Sequence, residues 1–264
     1  MFTFVNRLLI LTAVVFSCSL FAAPKADLWD YWQPFADAKA VDIDHQPYQE
    51  FLDSYLVVQG QHTLVKYNQV TTQDKQSLKT YLSKMSEVDP HQLTREQQYA
   101  FWVNLYNAFT IDIILDNYPT KSITKIGGLF SFGPWDKEIT TINGQALTLN
   151  DIEHRILRPI WQDPRTHYAV NCASLGCPNL QQRAFTEANT EQLLQQAMQS
   201  YISSDKGVLL SNGQLTLSSI YDWFEVDFGG SDGVIDHLAE IRPEVANFSG
   251  KVKFDYDWSL NEVK

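Results

Sequence analysis

Thr94-Arg95-Glu96-Gln97-Gln98-Tyr99-Ala100-Phe101-Trp102-Val103-Asn104-Leu105-Tyr106-Asn107-Ala108-Phe109-Thr110-Ile111-Asp112-Ile113-Ile114-Leu115-Asp116-Asn117-Tyr118-Pro119 is the stretch on which the fold turns. Thr94 can cap a helix, Gln97 completes a capping box, and Pro119 stops the helix after Asn117-Tyr118. Between these signals Phe101, Trp102, Leu105, Tyr106, Phe109, Ile111, Ile113, Ile114 and Leu115 cover nearly the whole circumference instead of one stripe. A helix that is apolar all round belongs in a core, so the pattern predicts a central buried helix. Asn104 and Asn107 lie three apart and share a face of it. Buried amides cost stability unless their hydrogen bonds are met, so polar groups must face them. They either pin a neighbouring loop, the commoner use of a buried Asn, or orient a catalytic group or a substrate carbonyl.

Working outward, residues 138–142 and 145–149 alternate around Asn143-Gly144, a strong hairpin signal. Asn150 is placed to cap a short helix, with Glu153 in the capping-box position and Arg158-Pro159 closing it. Asn212-Gly213 opens a second hairpin of the same design. Residues 191–202 show helical spacing, with Leu193, Leu194, Ala197 and Tyr201 on one face. Upstream, the aromatic run 27–32 is expected to pack on the domain. It is followed by helical spacing over 48–56, a strand over 62–67, and a helix over 72–85 with Leu78, Tyr81 and Leu82 inward. The tail 252–258 alternates and predicts a half-buried strand. No repeat array, linker or low-complexity segment intervenes. The expectation is one α+β domain over residues 23–264, with a central buried helix, antiparallel hairpins and surrounding helices.

The 264 residues are 44% hydrophobic and 13% aromatic, enough for a large core. A net charge of −11 argues against nucleic acid or anionic membrane surfaces as partners. Arg7, the apolar run 8–16 and the small exit at Ala22-Ala23 read as a secretory signal over residues 1–22, cleaved after Ala22. The run is short for a bilayer span, so no transmembrane segment is expected in the mature chain. A periplasmic location is expected. Anchoring as a lipoprotein through Cys18 is the alternative, although bulky Phe16 departs from the usual lipobox.

Candidate chemistry concentrates in His167-Tyr168-Ala169-Val170-Asn171-Cys172-Ala173-Ser174-Leu175-Gly176-Cys177-Pro178, which holds two of the three cysteines. If 167–171 were an extended strand, His167 and Cys172 would point apart, about 16 Å along the chain. A dyad therefore needs a turn at Asn171. An Asn171-capped helical turn through Leu175 would set Cys172 at a helix N-terminus, where thiolate is favoured. On that reading Cys172 is a nucleophile and His167 or His154 carries the proton. Glu153, Asn104 or Asn107 orients it, and backbone N–H groups of the turn hold an oxyanion. The reaction would be hydrolysis or acyl transfer at an amide, ester or isopeptide bond of a peptide-like substrate, with no cofactor.

Two alternatives stay open. In an oxidising compartment Cys172 and Cys177 can form a disulfide that fixes a loop of a non-catalytic binding module. Zinc could instead be held by His167, Cys172 and Cys177, with His154 as a fourth ligand, although the spacing matches no common zinc motif. His45, His62 and His91 have no ligand-type neighbours and read as ordinary surface or satisfied residues.

Several motifs recur together. They are Phe101-Trp102-Val103-Asn104-Leu105-Tyr106-Asn107-Ala108, Leu149-Asn150-Asp151-Ile152-Glu153-His154 with Arg158-Pro159, and His167 to Ser174 with Cys177-Pro178. With Leu217 to Phe224 and Asp227-Phe228, over about residues 85–230, they resemble the family called domain of unknown function 547. The resemblance implies a family whose members occur in bacteria and plants, some joined to glutaredoxin-like domains, and supplies little function; with the leader it implies an exported bacterial member.

Overall fold

The central helix forms where its capping signals put it. In the computed structural model, which describes residues 24–128 and 132–264, α3 spans Arg95–Asp116. Thr94 and Gln97 make the reciprocal capping box. Buried residues fall on every side of α3, as its continuous apolar pattern requires. The leader 1–22 and Cys18 lie outside the described residues.

On α3 pack α2 (Thr72–Ser86) and α6 (Thr190–Ile202), and α1 (Gln46–Tyr55) packs on α2, each burying one apolar face. Leu78, Tyr81 and Leu82 of α2 are buried, as are Leu193, Leu194, Ala197 and Tyr201 of α6. The aromatic N-terminal run docks on this core, with Trp32 edge-on to Trp102 at 5.1 Å between ring centroids. Short helices α4 (Arg158–Trp161), α5 (Thr166–Ala169) and α7 (Ile220–Trp223) and the longer α8 (Gly230–Ala239) complete the helical part.

The strands form three antiparallel hairpins: β1 (Leu56–Gln59) with β2 (His62–Val65), β3 (Glu138–Ile142) with β4 (Gln145–Thr148), and β5 (Val208–Ser211) with β6 (Gln214–Ser218). Asn143-Gly144 and Asn212-Gly213 both have positive φ at both positions, the requirement of the tight turns that match strand twist. The tail does form a strand, β7 (Val252–Asp255), which adds to β6 in parallel. Its side chains are mostly exposed, because it is an edge strand with no layer beyond it. The architecture is α+β, as the pattern indicated.

Two hydrophobic clusters meet within this unit. One surrounds α3, and the other joins α6, the β5-β6-β7 sheet, α7 and α8. The candidate site lies between them.

The expected capped helix after β4 differs in its start and its end. Asn150 makes no side-chain cap; Thr148 and Asp151 bond each other's backbone or side chain instead. Arg158-Pro159 does not close the helix either. A π-helical segment, Asp151–Leu157, runs straight into α4, which ends at the left-handed Gln162. Pro159 supplies the reason. It has no N–H for the Arg155 carbonyl, and the Arg158 N–H reaches back to Glu153. The freed carbonyls of His154 and Arg155 accept from Asp27 and Trp29, both at 3.0 Å. This helical irregularity therefore anchors the N-terminal segment.

Candidate active site

Asn107 fixes the approach to Cys172. Its amide donates to the Ala169 carbonyl at 2.9 Å, and its Oδ1 accepts from the Asn171 N–H at 2.8 Å. Asn104 makes the same two-bond clasp with Phe185, at 2.8 and 2.9 Å. Both amides are buried, and each spends one donor and its oxygen on backbone. They pin loops; neither is free to bind a substrate carbonyl. Asn107 is a positioning residue for the segment that carries Cys172.

The segment 167–171 is not a strand. α5 ends at Ala169, and the chain then extends and turns at Asn171, whose Oδ1 accepts from the Ala173 N–H at 2.9 Å. Ala173 is left-handed, with φ 57°, so no helical turn starts there and Cys172 does not sit at a helix N-terminus. The turn is bolted to the C-terminal tail: Leu175 N–H donates to Ser259 and Gly176 N–H to Asp257, each at 2.8 Å. A Cβ on Gly176 would lie 2.8 Å from the Asp257 nitrogen, so glycine permits this approach. Cys177 N–H bonds Ser174 and Cys172 N–H bonds the Cys177 sulfur. These amides, with that of Ala173, are committed internally and do not form the expected oxyanion hole.

Cys172 and Cys177 are free thiols in contact; the expected disulfide is not formed. The Cys172 N–H points at Cys177 Sγ at 2.9 Å. Cys172 Sγ lies 3.0 Å from the Tyr256 hydroxyl and 3.2 Å from that of Ser174. Burial pushes the Cys172 pKa up, but hydrogen bonds from Cys177, Ser174 and Tyr256 outweigh it and bring the thiol below its ordinary value. Cys177 moves the other way: it is buried, and loss of hydration together with its neighbouring sulfur raises it well above the ordinary thiol range.

Neither candidate histidine reaches these sulfurs by a hydrogen bond. His167 donates from Nε2 to Asp227 Oδ2 at 2.7 Å and stacks on Phe224 at 4.4 Å. Arg158 donates its Nε to the same carboxylate oxygen at 2.6 Å and its Nη1 to His154 Nδ1 at 2.8 Å. Because Arg158 can only donate, the neutral ring of His154 carries its proton on Nε2. Burial holds the His154 pKa down at about 4, so the ring is neutral near pH 7 and has no lone pair free to act as a base. Asp227 is pulled below the usual carboxylate range despite partial burial, by its bonds to His167 and Arg158. The two histidines thus belong to a buttress centred on Arg158 and Asp227.

Glu153 is the carboxylate that faces the thiol. Its charge opposes ionisation of both Cys172 and Tyr106, and the Tyr106 hydroxyl is raised first by burial and then by Glu153 and Cys172. The zinc constellation does not assemble, since among the described residues no three His, Cys, Asp or Glu side chains converge as metal ligands. His167 and His154 are turned to Asp227 and Arg158 instead.

A cleft of about 1400 Å³ opens over these groups, lined by Cys172, Cys177, Tyr106, Glu153, His154 and His167. One wall is aromatic. Tyr256 and Trp258 lie 4.6 Å apart, Trp223 and Tyr256 4.9 Å, Phe132 and Trp258 5.3 Å, and Trp135 and Trp258 5.8 Å between centroids. The volume exceeds that of ordinary small-molecule pockets, so an extended ligand fits it.

The order of α3, the π-helical segment and the Cys172 turn is matched at the level of family. Residues 90–202 fit the family model described as "Protein of unknown function, DUF547". This segment is where the chain is similar to that family. The DUF547 segment holds Tyr106, Glu153, Cys172 and Cys177, while Asp227 and Tyr256 come from beyond it. No curated protein and no solved structure matches.

Residue patterns did not single out Tyr256, Tyr106, Arg158 or Asp227 as parts of the site. Arg158-Pro159 and Asp227-Phe228 stood in the recurring motifs, which was a signal without an assigned role. Tyr256 carried none, because its partner lies 84 positions away.

Proposed function

We propose that this protein is a thiol-dependent hydrolase or acyl-transferase in which Cys172 Sγ attacks an amide, ester or isopeptide carbonyl of an extended, peptide-like substrate. One observation carries the reading: the Cys172 sulfur lines the cleft with the Tyr256 hydroxyl at 3.0 Å and the Ser174 hydroxyl at 3.2 Å, surroundings that favour its thiolate. The Ser174 and Tyr256 hydroxyls beside the sulfur are the groups this scheme assigns to the oxyanion, in place of the committed backbone donors. Glu153 is the proton carrier of this scheme, because His154 is neutral with its acceptor nitrogen taken by Arg158 and His167 is held by Asp227. The aromatic wall orients the chain of the substrate. The pattern of residues 1–22, read as a secretory leader, supports an activity outside the cytoplasm.

The test is covalent labelling of the whole protein, followed by intact mass and peptide mapping. An acylating probe such as a peptide-derived β-lactone, whose ring ester opens on the thiolate to leave a thioester, is expected to modify Cys172 once, and Cys172→Ser to abolish the adduct. Turnover of peptidyl esters should disappear in the same variant. A Cys172 that alkylates with iodoacetamide yet accepts no acyl probe and turns over no ester or peptide substrate would overturn the acyl-transfer reading.

A further inference from the structure

We infer that Cys172 and Cys177 form a thiol–disulfide exchange couple, with Cys172 as the attacking sulfur and Cys177 as the resolving one, acting on a disulfide substrate. The inference shares the nucleophilic Cys172 with the reading above but needs no carbonyl substrate.

The geometry is asymmetric in the way such a couple requires. Both cysteines border the cleft, but Cys172 is half-buried there whereas Cys177 is only 4% exposed. The Cys177 thiol faces the Val170 carbonyl at 3.8 Å, while its sulfur accepts the Cys172 N–H at 2.9 Å. The two sulfurs are held in contact by the fold without a covalent bond. Asn171, left-handed Ala173, Gly176 and the tail bonds to Asp257 and Ser259 fix the turn between the two cysteines. A pair serving only as packing would not need one sulfur turned to an open cleft and surrounded by donors. The opposite displacements of the two thiols agree with the division of labour, since the attacking sulfur must be ionised and accessible and the resolving one kept protonated until needed.

Lys206 adds a third element that the acyl reading leaves unused. Its Nζ donates to the Cys177 carbonyl at 2.7 Å and to Asn179 Oδ1 at 2.8 Å. Burial lowers its pKa to about 8, opposed by the charges of both cysteines. The ammonium is therefore close enough to favour thiolate at the second step, and Lys206 is a positioning residue for resolution.

The exchange balances as follows. Cys172 thiolate attacks one sulfur of the substrate disulfide; that S–S bond breaks and the departing thiolate takes a proton from water. Cys177 then attacks Cys172 Sγ in the mixed disulfide. The second substrate sulfur leaves and takes the proton that Cys177 gives up. The protein dithiol is oxidised to a Cys172–Cys177 disulfide, and the substrate disulfide is reduced to two thiols.

The full chain, reduced and then exposed to oxidised glutathione at pH 7, tests this by intact mass after acid quench. The wild type is expected to lose two hydrogens and to carry no lasting glutathione adduct. Cys177→Ser should stop at a one-to-one mixed disulfide on Cys172, Cys172→Ser should remain unmodified, and Lys206→Met should prolong the mixed disulfide without slowing its formation. A wild type that accumulates the same stable adduct as Cys177→Ser, or a Cys172→Ser protein that is modified at Cys177, would overturn the couple. Thermal unfolding of each variant checks that it folds. If Cys177→Ser does not, the wild-type outcome still decides, because internal bridging and a lasting adduct differ in mass. Failure of acyl labelling with normal bridging removes the acyl-transfer reading alone, and the reverse result removes the couple alone.

Discussion

At the scale of single residues, the thiol of Cys172 is poised by groups that act in opposite directions. Tyr256 and Ser174 stabilise its ionised form by hydrogen bonds, and Glu153 opposes it through its charge. Removing one of each should therefore move the thiol oppositely in the same assay. Tyr256→Phe deletes a donor, so the midpoint of the iodoacetamide rate against pH should rise and labelling at pH 7 should slow. Glu153→Gln deletes a nearby negative charge, so the midpoint should fall and alkylation at low pH should quicken. Under the acyl reading Glu153→Gln also lowers turnover, even as the thiol becomes more reactive. Midpoints that do not move in either variant would show that neither group touches the ionisation of Cys172. His154 illustrates how a residue type misleads. Its sequence neighbourhood suggested an acid or base, yet the one-way donor Arg158 occupies its acceptor nitrogen.

At the scale of elements, α3 turns buried polarity into position. Asn104 and Asn107 make equivalent two-bond clasps, but on different loops. Replacing either by Leu leaves a buried carbonyl and a buried N–H without partners, at a cost of about 2 to 4 kcal/mol in urea denaturation. The two variants should part company in function. Asn107→Leu frees the residues just before Cys172 and should slow its alkylation in the folded protein, whereas Asn104→Leu should leave that rate near wild type. Equal slowing in both would mean that the effect is general loosening. The π-helical segment is the other element that sequence grammar misjudged. Asn150 and Glu153 satisfied the letter of a capping box, but Thr148 and Asp151, two residues earlier, took that role. Pro159, expected to end the helix, altered its hydrogen-bond spacing instead and released two carbonyls to the N-terminal segment.

At the scale of the whole molecule, two buried histidines give the fold an acid limb. His45 and His154 are each held by burial at about 4, against an ordinary value of 6.5. Between those values the unfolded chain binds more protons than the native one, so stability falls as pH drops from about 6.5 towards 4. Asp227, with its depressed carboxyl, extends the loss to lower pH, since its contribution is present above the ordinary carboxylate range and disappears as it protonates. Urea midpoints at pH 7, 5.5 and 4.5 should decline in that order. His45→Gln, which removes one of the two histidines, should decline less steeply; a flat wild-type profile would contradict the burial of both rings. The sequence by itself determined the central helix, the hairpins and the α+β class, because caps, periodicity and Asn-Gly turns act over a few residues and need no distant partner. It also located the Cys172 turn, through the density of reactive residue types. Only the tertiary structure decided what surrounds the sulfur. Tyr256 arrives on the far tail, Asp227 draws His167 away, and Cys177 folds back beneath Cys172. The ionisation of a thiol depends on which donors and charges lie within a few ångströms, and chain packing, not local order, brings those groups together.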